Sequence, residues 1–140
     1  MAVPFLACMS LVAAYYGLPP RVLPAIQRVE GGQVGLAVRN TDGSEDLGLM
    51  QVNTRWVAPI AEVTGLPAAE IRQRLIHEAC FNIAAAGAIL RAALHDAGGD
   101  LMRAVGNYHS HTPHRHDAYR LKVVEAAVRL FGQSTTIFPP

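Results

Sequence analysis

Glu30 is the residue whose setting most invites chemistry, because it closes an apolar stripe just before Gly31-Gly32. Leu23 and Ile26 precede it at the spacing that stacks side chains on one helix face. A carboxyl held against apolar neighbours has its ionised form disfavoured, so its pKa rises and it can act as a general acid near neutrality. The competing assignment is a rim glutamate neutralised by Arg28 or Arg72. Asp42, Glu45 and Asp46 follow in a turn-rich segment. Ordinary glycosidases need two carboxylates, yet turn and hairpin roles account for these three more simply. His109, His111, His114 and His116 crowd together around Pro113. Such a cluster can chelate zinc or nickel, contact a sugar or peptide, or lie in a solvated loop. Cys8 and Cys80 are the two thiols, and composition alone leaves them either reduced or paired.

The elements that must position these groups read as mostly helical. A length of 140 residues suits one domain. The apolar fraction of 51% excludes a disordered chain. Twelve basic against eleven acidic residues remove the electrostatic basis for nucleic-acid binding. With 22 alanines, packed helices are favoured over a β-sandwich. The uncharged stretch from Ala2 to Leu18 lacks the preceding Lys or Arg of a signal peptide, so no export signal is recognised in it. It is also short for a membrane span and meets Pro19-Pro20. A core helix burying Phe5, Cys8, Val12 and Tyr15 or Tyr16, closed by Gly17, fits better. A second helix carries Glu30 and starts nearer Leu23 than Pro20, because Pro24 must lie in its first turn. Leu36 to Arg39 and Asp46 to Leu49 are the arms of a short hairpin around Asn40-Thr41-Asp42-Gly43. Trp56 to Thr64 is a helix interrupted by Pro59, and Pro67 to Ile76 another, with Ile71 and Leu75 inward. The strongest helix runs from His77 to Ala97 with Cys80, Ile83, Gly87, Leu90 and Leu94 buried. Asp100 caps a short helix, and a last one from Asp117 to Phe131 buries Leu121, Val124, Val128 and Phe131. The chain divides into a domain over 1–132 and a tail over 133–140.

The ordered segments together resemble a known family. Glu30, then Gly48-Leu49-Met50-Gln51-Val52-Asn53, then Asn82-Ile83 with Gly87, then Tyr108, resemble the lysozyme-like lytic transglycosylase domain. Cys8 with Ala13-Ala14-Tyr15-Tyr16, the run Asn40, Asp42-Gly43-Ser44, Asp46, and Cys80 with Asn82-Ile83 look like the specialised members found with type IV secretion, conjugation and type III secretion systems. The resemblance spans Phe5 to Val124 and implies a mostly α, α+β lysozyme-like fold with a small β element beside a cleft. It implies peptidoglycan cleavage with Glu30 as the catalytic acid and then base, without metal or other cofactor. Gly48, Met50, Gln51, Asn82, Tyr108 and His109 would contact substrate or shape its site. Gly48 would allow a close backbone approach, and the Tyr108 hydroxyl would approach Glu30. Asn82 would hold the preceding loop or cap the long helix. Two positions depart from the pattern: Gly31 stands where a serine is usual, and His109 follows Tyr108 where an asparagine is usual. The resemblance further implies a Cys8–Cys80 disulfide, a periplasmic location, and action as a monomer on glycan strands beside secretion or conjugation proteins. No membrane span is expected. A lysozyme-type muramidase and a non-catalytic wall-binding component are the competing functions.

Overall fold

The computed structural model describes residues 3–109 and 113–132, so the expected tail over 133–140 lies outside it. The element order is α1 (Leu6–Tyr16), α2 (Val22–Glu30), β1 (Ala37–Arg39), β2 (Glu45–Leu47), β3 (Val52–Asn53), a 3-10 turn (Thr54–Trp56), α3 (Val57–Thr64), α4 (Ala68–His77), α5 (Ala79–Asp96), α6 (Leu101–His109) and α7 (Pro113–Phe131). This is the mostly helical α+β arrangement with a small antiparallel sheet that the sequence implies. No single helix among the described residues is long and apolar enough to cross a membrane.

Helix α5 is the centre of the core. Ile83, Ala86 and Leu90 are fully buried along it, and α1, α4 and α6 pack around it. Helix α1 lies close because α5 offers Gly87, where any Cβ would run into Val12 and Tyr16. The same pair of helices is tied by the Cys8–Cys80 disulfide, with Cα atoms 5.6 Å apart and 72 residues between them in sequence. Closing so long a loop in the unfolded chain is worth about 4 kcal/mol on the chain-entropy account.

Two helix faces differ from those expected. In α1 the buried positions are Met9 and Ala13, whereas Phe5 lies outside at the N-terminus and Tyr15 is 82% exposed. A uniformly apolar helix carries no contrast from which to choose a face, so only docking against α5 decides it. In α7 the buried face is Tyr119, Val123, Ala126 and Ala127, and Leu121 points to solvent at 64% exposure. Alanines count little in an apolar stripe, yet here they let α7 approach α2 and α6 closely.

Pro24 sits in the first turn of α2, as expected, and Pro59 likewise falls in the first turn of α3, so it does not interrupt that helix. Asp100 caps α6, its Oδ1 accepting from the Arg103 N–H at 3.1 Å. The hairpin has a third strand, giving the order β1-β2-β3, with Ala37 opposite Leu47 and Leu47 opposite Val52. Strand β3 is two residues long and carries no periodic signal of its own. Arg72 of α4 clamps the sheet through Glu45, its Nε and Nη2 reaching the carboxylate at 2.9–3.1 Å.

Candidate active site

A cleft of about 750 Å³ opens between the sheet and the helices, and Glu30 lies in its wall. Leu23 and Ile26, fully buried, pin α2 to the core, and the helix ends with Glu30 at its C-terminus. Beyond it, Gly32 packs against the carbonyls of Gly48 and Leu49, at a distance no Cβ would permit. The last turn of α2 is thereby set beside the sheet.

Burial pushes the Glu30 carboxyl from 4.5 up to about 7. A hydrogen bond from the Tyr119 hydroxyl opposes that rise, and the Asp46 carboxylate adds to it. Desolvation outweighs the phenol, so at neutral pH a substantial fraction of Glu30 carries its proton. Arg72 is committed to Glu45 and is no neutralising partner for Glu30. Tyr119 is 4% exposed, and burial, followed by the Glu30 charge, holds its phenol well above the usual value. Tyr108 lines the cleft, with its phenol raised first by burial and then by Glu30. Both rings therefore remain neutral.

The hydroxyl that bonds Glu30 is thus that of Tyr119, a residue the sequence pattern did not single out. Its signal was available: Tyr119, Val123 and Ala126 recur at four- and three-residue spacing. The larger side chains of Leu121 and Val128 masked it.

The Gly48–Asn53 segment is organised differently. Gly48 turns with φ 68°, and a Cβ there would strike the Leu75 carbonyl and the Asn82 amide. Met50 is fully buried in the core. Asn82, also fully buried, accepts from the Met50 N–H at 2.8 Å and donates to the carbonyls of Leu47 and Leu75, both at 2.8 Å. Gln51, with φ 54°, donates its amide back to the Gly48 carbonyl at 3.0 Å. None of these four residues forms part of the cleft wall. The turn buries Met50 in the core and turns the Gln51 amide onto its own backbone, so both residues shape the loop beside the cleft. Asn82 holds the loop, which settles the choice between loop holder and helix cap.

The polar side of the cleft comes from Asn40, Asp42, Ser44, Asp46 and Asn53. The Ser44 hydroxyl accepts from Asn40 and Asn53, both at 3.0 Å, and donates to Asp42 Oδ1 at 2.6 Å. Asn53 also donates to Asp46 at 3.0 Å. Arg55, Trp56 and Arg115 extend the wall, Arg55 stacking 5.6 Å above the Trp56 ring. These three residues are additions to those read from the sequence.

His109 ends α6, but its side chain and that of His114 lie outside the described placements, as does all of His111. Among the described residues no three His, Cys, Asp or Glu side chains group as metal ligands. His116 packs between α6 and α7, hydrogen-bonding the Arg103 carbonyl.

No curated protein matches the chain. The family model of the transglycosylase SLT domain matches residues 8–122, a span that begins at the disulfide cysteine of α1 and reaches three residues past Tyr119. The match covers most of the chain and contains Glu30, the sheet, Asn82, Tyr108 and Tyr119, so the protein belongs to the transglycosylase SLT domain family.

Proposed function

We propose that the protein is a peptidoglycan lytic transglycosylase that cleaves the β-1,4 bond between N-acetylmuramic acid and N-acetylglucosamine with a single carboxyl. The observation that carries this is Glu30, half-buried in the cleft wall, raised to about 7 and hydrogen-bonded by Tyr119. Protonated Glu30 donates to the glycosidic oxygen as the C1–O bond breaks. The resulting carboxylate takes the proton of the muramoyl C6 hydroxyl as O6 bonds C1. The product is a 1,6-anhydro sugar, no water is consumed, and Glu30 ends protonated as it began. Tyr119 stabilises the intermediate carboxylate through a charge-assisted hydrogen bond, while the neutral Tyr108 phenol contacts substrate.

The resemblance to secretion-linked members supports a role in opening the wall locally for a secretion or conjugation apparatus. The disulfide suits an oxidising, extracytoplasmic compartment such as the periplasm.

Asp46 shares the cleft with Glu30, which is the one observation that favours a hydrolytic pair. Digestion of purified sacculi followed by mass spectrometry decides between the two. Anhydro-muropeptides, lighter by one water, are expected; muropeptides with free reducing ends would establish the muramidase instead. Glu30→Gln should lower the rate by about 10³-fold while the variant still binds sacculi. Unchanged lysis by that variant would remove Glu30 from the chemistry.

A further inference from the structure

We infer that His116 is a positioning residue: wedged between α6 and α7 against Gly106, it sets the seat of α7 from which Tyr119 reaches Glu30. The His116 side chain is only 12% exposed. Its Nε2 donates to the Arg103 carbonyl of α6 at 3.1 Å, and its Nδ1 lies 3.3 Å from Asp117 Oδ1. Any Cβ on Gly106 would overlap the imidazole, so the ring occupies the space that this glycine leaves. Arg103 and Gly106 are one turn apart and share a face of α6, and His116 and Tyr119 share a face of α7 in the same way. The wedge therefore acts one helical turn from the phenol.

Helix α7 also packs on α2, whose last residue is Glu30. It is held between two neighbours, with the imidazole filling the gap on the α6 side. Removing the ring leaves a void beside a glycine, into which α7 can settle. A hydrogen bond weakens steeply with small changes of distance and angle, so the Tyr119–Glu30 contact is the first to feel that settling. Tyr108 from α6 and Asp46 from β2 also act on Glu30, and the substitutions below leave both in place.

The inference rests on Glu30 being the proton-transfer group, but its test needs no catalysis. The Glu30 carboxyl is titrated by carbon-13 NMR in the wild type, His116→Ala, Tyr119→Phe and the double variant. Loss of the Tyr119 bond raises the midpoint, because that bond favours the charged carboxylate. His116→Ala is expected to raise it by about half a pH unit, and the double variant should titrate like Tyr119→Phe alone. Additive shifts, or an unmoved midpoint in folded His116→Ala, would overturn the inference and leave His116 as packing only. Additivity also separates a through-space effect of the ring from a lost position, since such an effect acts whether or not Tyr119 has its hydroxyl. Should His116→Ala not fold, His116→Gln and His116→Leu give the same comparison between two neutral side chains. Gln, which keeps an N–H donor, should stay near the wild type and Leu should rise; equal midpoints overturn the inference. In peptidoglycan solubilisation the alkaline limb of the pH profile should move with these midpoints. A wild type that cleaves nothing while the titrations remain coupled would sink the transglycosylase reading and leave this inference standing.

Discussion

The two walls of the cleft are built on opposite principles. On the sheet side, polar groups are engaged with one another: the Ser44 hydroxyl makes three hydrogen bonds and Asp46 accepts from Asn53, while Asn82, buried behind the wall, makes three more. On the helical side, Glu30 and Tyr108 in the wall and the buried Tyr119 beyond it are desolvated, and each is raised by its burial. A saturated network fixes geometry but leaves no group free to change its proton. A desolvated carboxyl with one phenol partner lies near the balance between its two protonation states, which is what proton transfer requires. The densest run of family-like residues, Gly48 to Asn53, thus backs the wall that holds shape and reaches it only through Val52 and Asn53.

The sharpest way to break this comparison is to damage the rigid wall and watch the reactive one. Asn82→Ala strands the Met50 N–H and two carbonyls in the core and should cost about 3 kcal/mol of stability, measured by denaturant unfolding. In the folded fraction the alkaline limb of the rate profile should stay put; its movement would show that the two walls are not separable.

A smaller effect follows from Glu30 itself, which holds its proton more tightly in the fold than in the unfolded chain. Between pH 4.5 and about 7 the folded protein therefore binds more protons, and stability falls as pH rises through that window. Glu30→Gln removes the penalty. Allowing for the partial exposure of the carboxyl, the variant should be more stable than wild type by about 2 kcal/mol at pH 8 and nearly equal at pH 4. Thermal midpoints at the two pH values measure this, and an equal offset at both would mean that the carboxyl is not destabilised by burial.

The smallest change expected is that of Tyr119→Phe, which deletes one hydroxyl. Turnover should fall by about fivefold and the alkaline limb should move to higher pH, because the lost bond favoured the carboxylate. A limb moving to lower pH would reverse the role given to Tyr119.

Much of the site was legible before the fold was known. Helical spacing put Glu30 on the face of Leu23 and Ile26, and the family resemblance singled it out as the catalytic carboxyl. The disulfide came with the family resemblance, and the structure joins the same two cysteines. Tyr119 stayed hidden because its stripe continues through Ala126 and Ala127, whose small side chains give almost no amphipathic contrast. Gln51 and Met50 came with the family resemblance, and a motif does not carry their geometry: Gln51 turns at φ 54° and Met50 is fully buried.

What the sequence determined alone is what local spacing and covalent type control: the helices, the turn residues, a carboxyl on an apolar face, and two thiols available to pair. The tertiary structure decided which face of α1 and α7 is inside, that Asn82 binds the loop, and that a buried Tyr119 acts on the Glu30 carboxyl. These outcomes depend on contacts between helices distant in sequence, where packing of small residues sets the approach. The pKa of Glu30 belongs to the same class, since it measures how much water the assembled walls exclude.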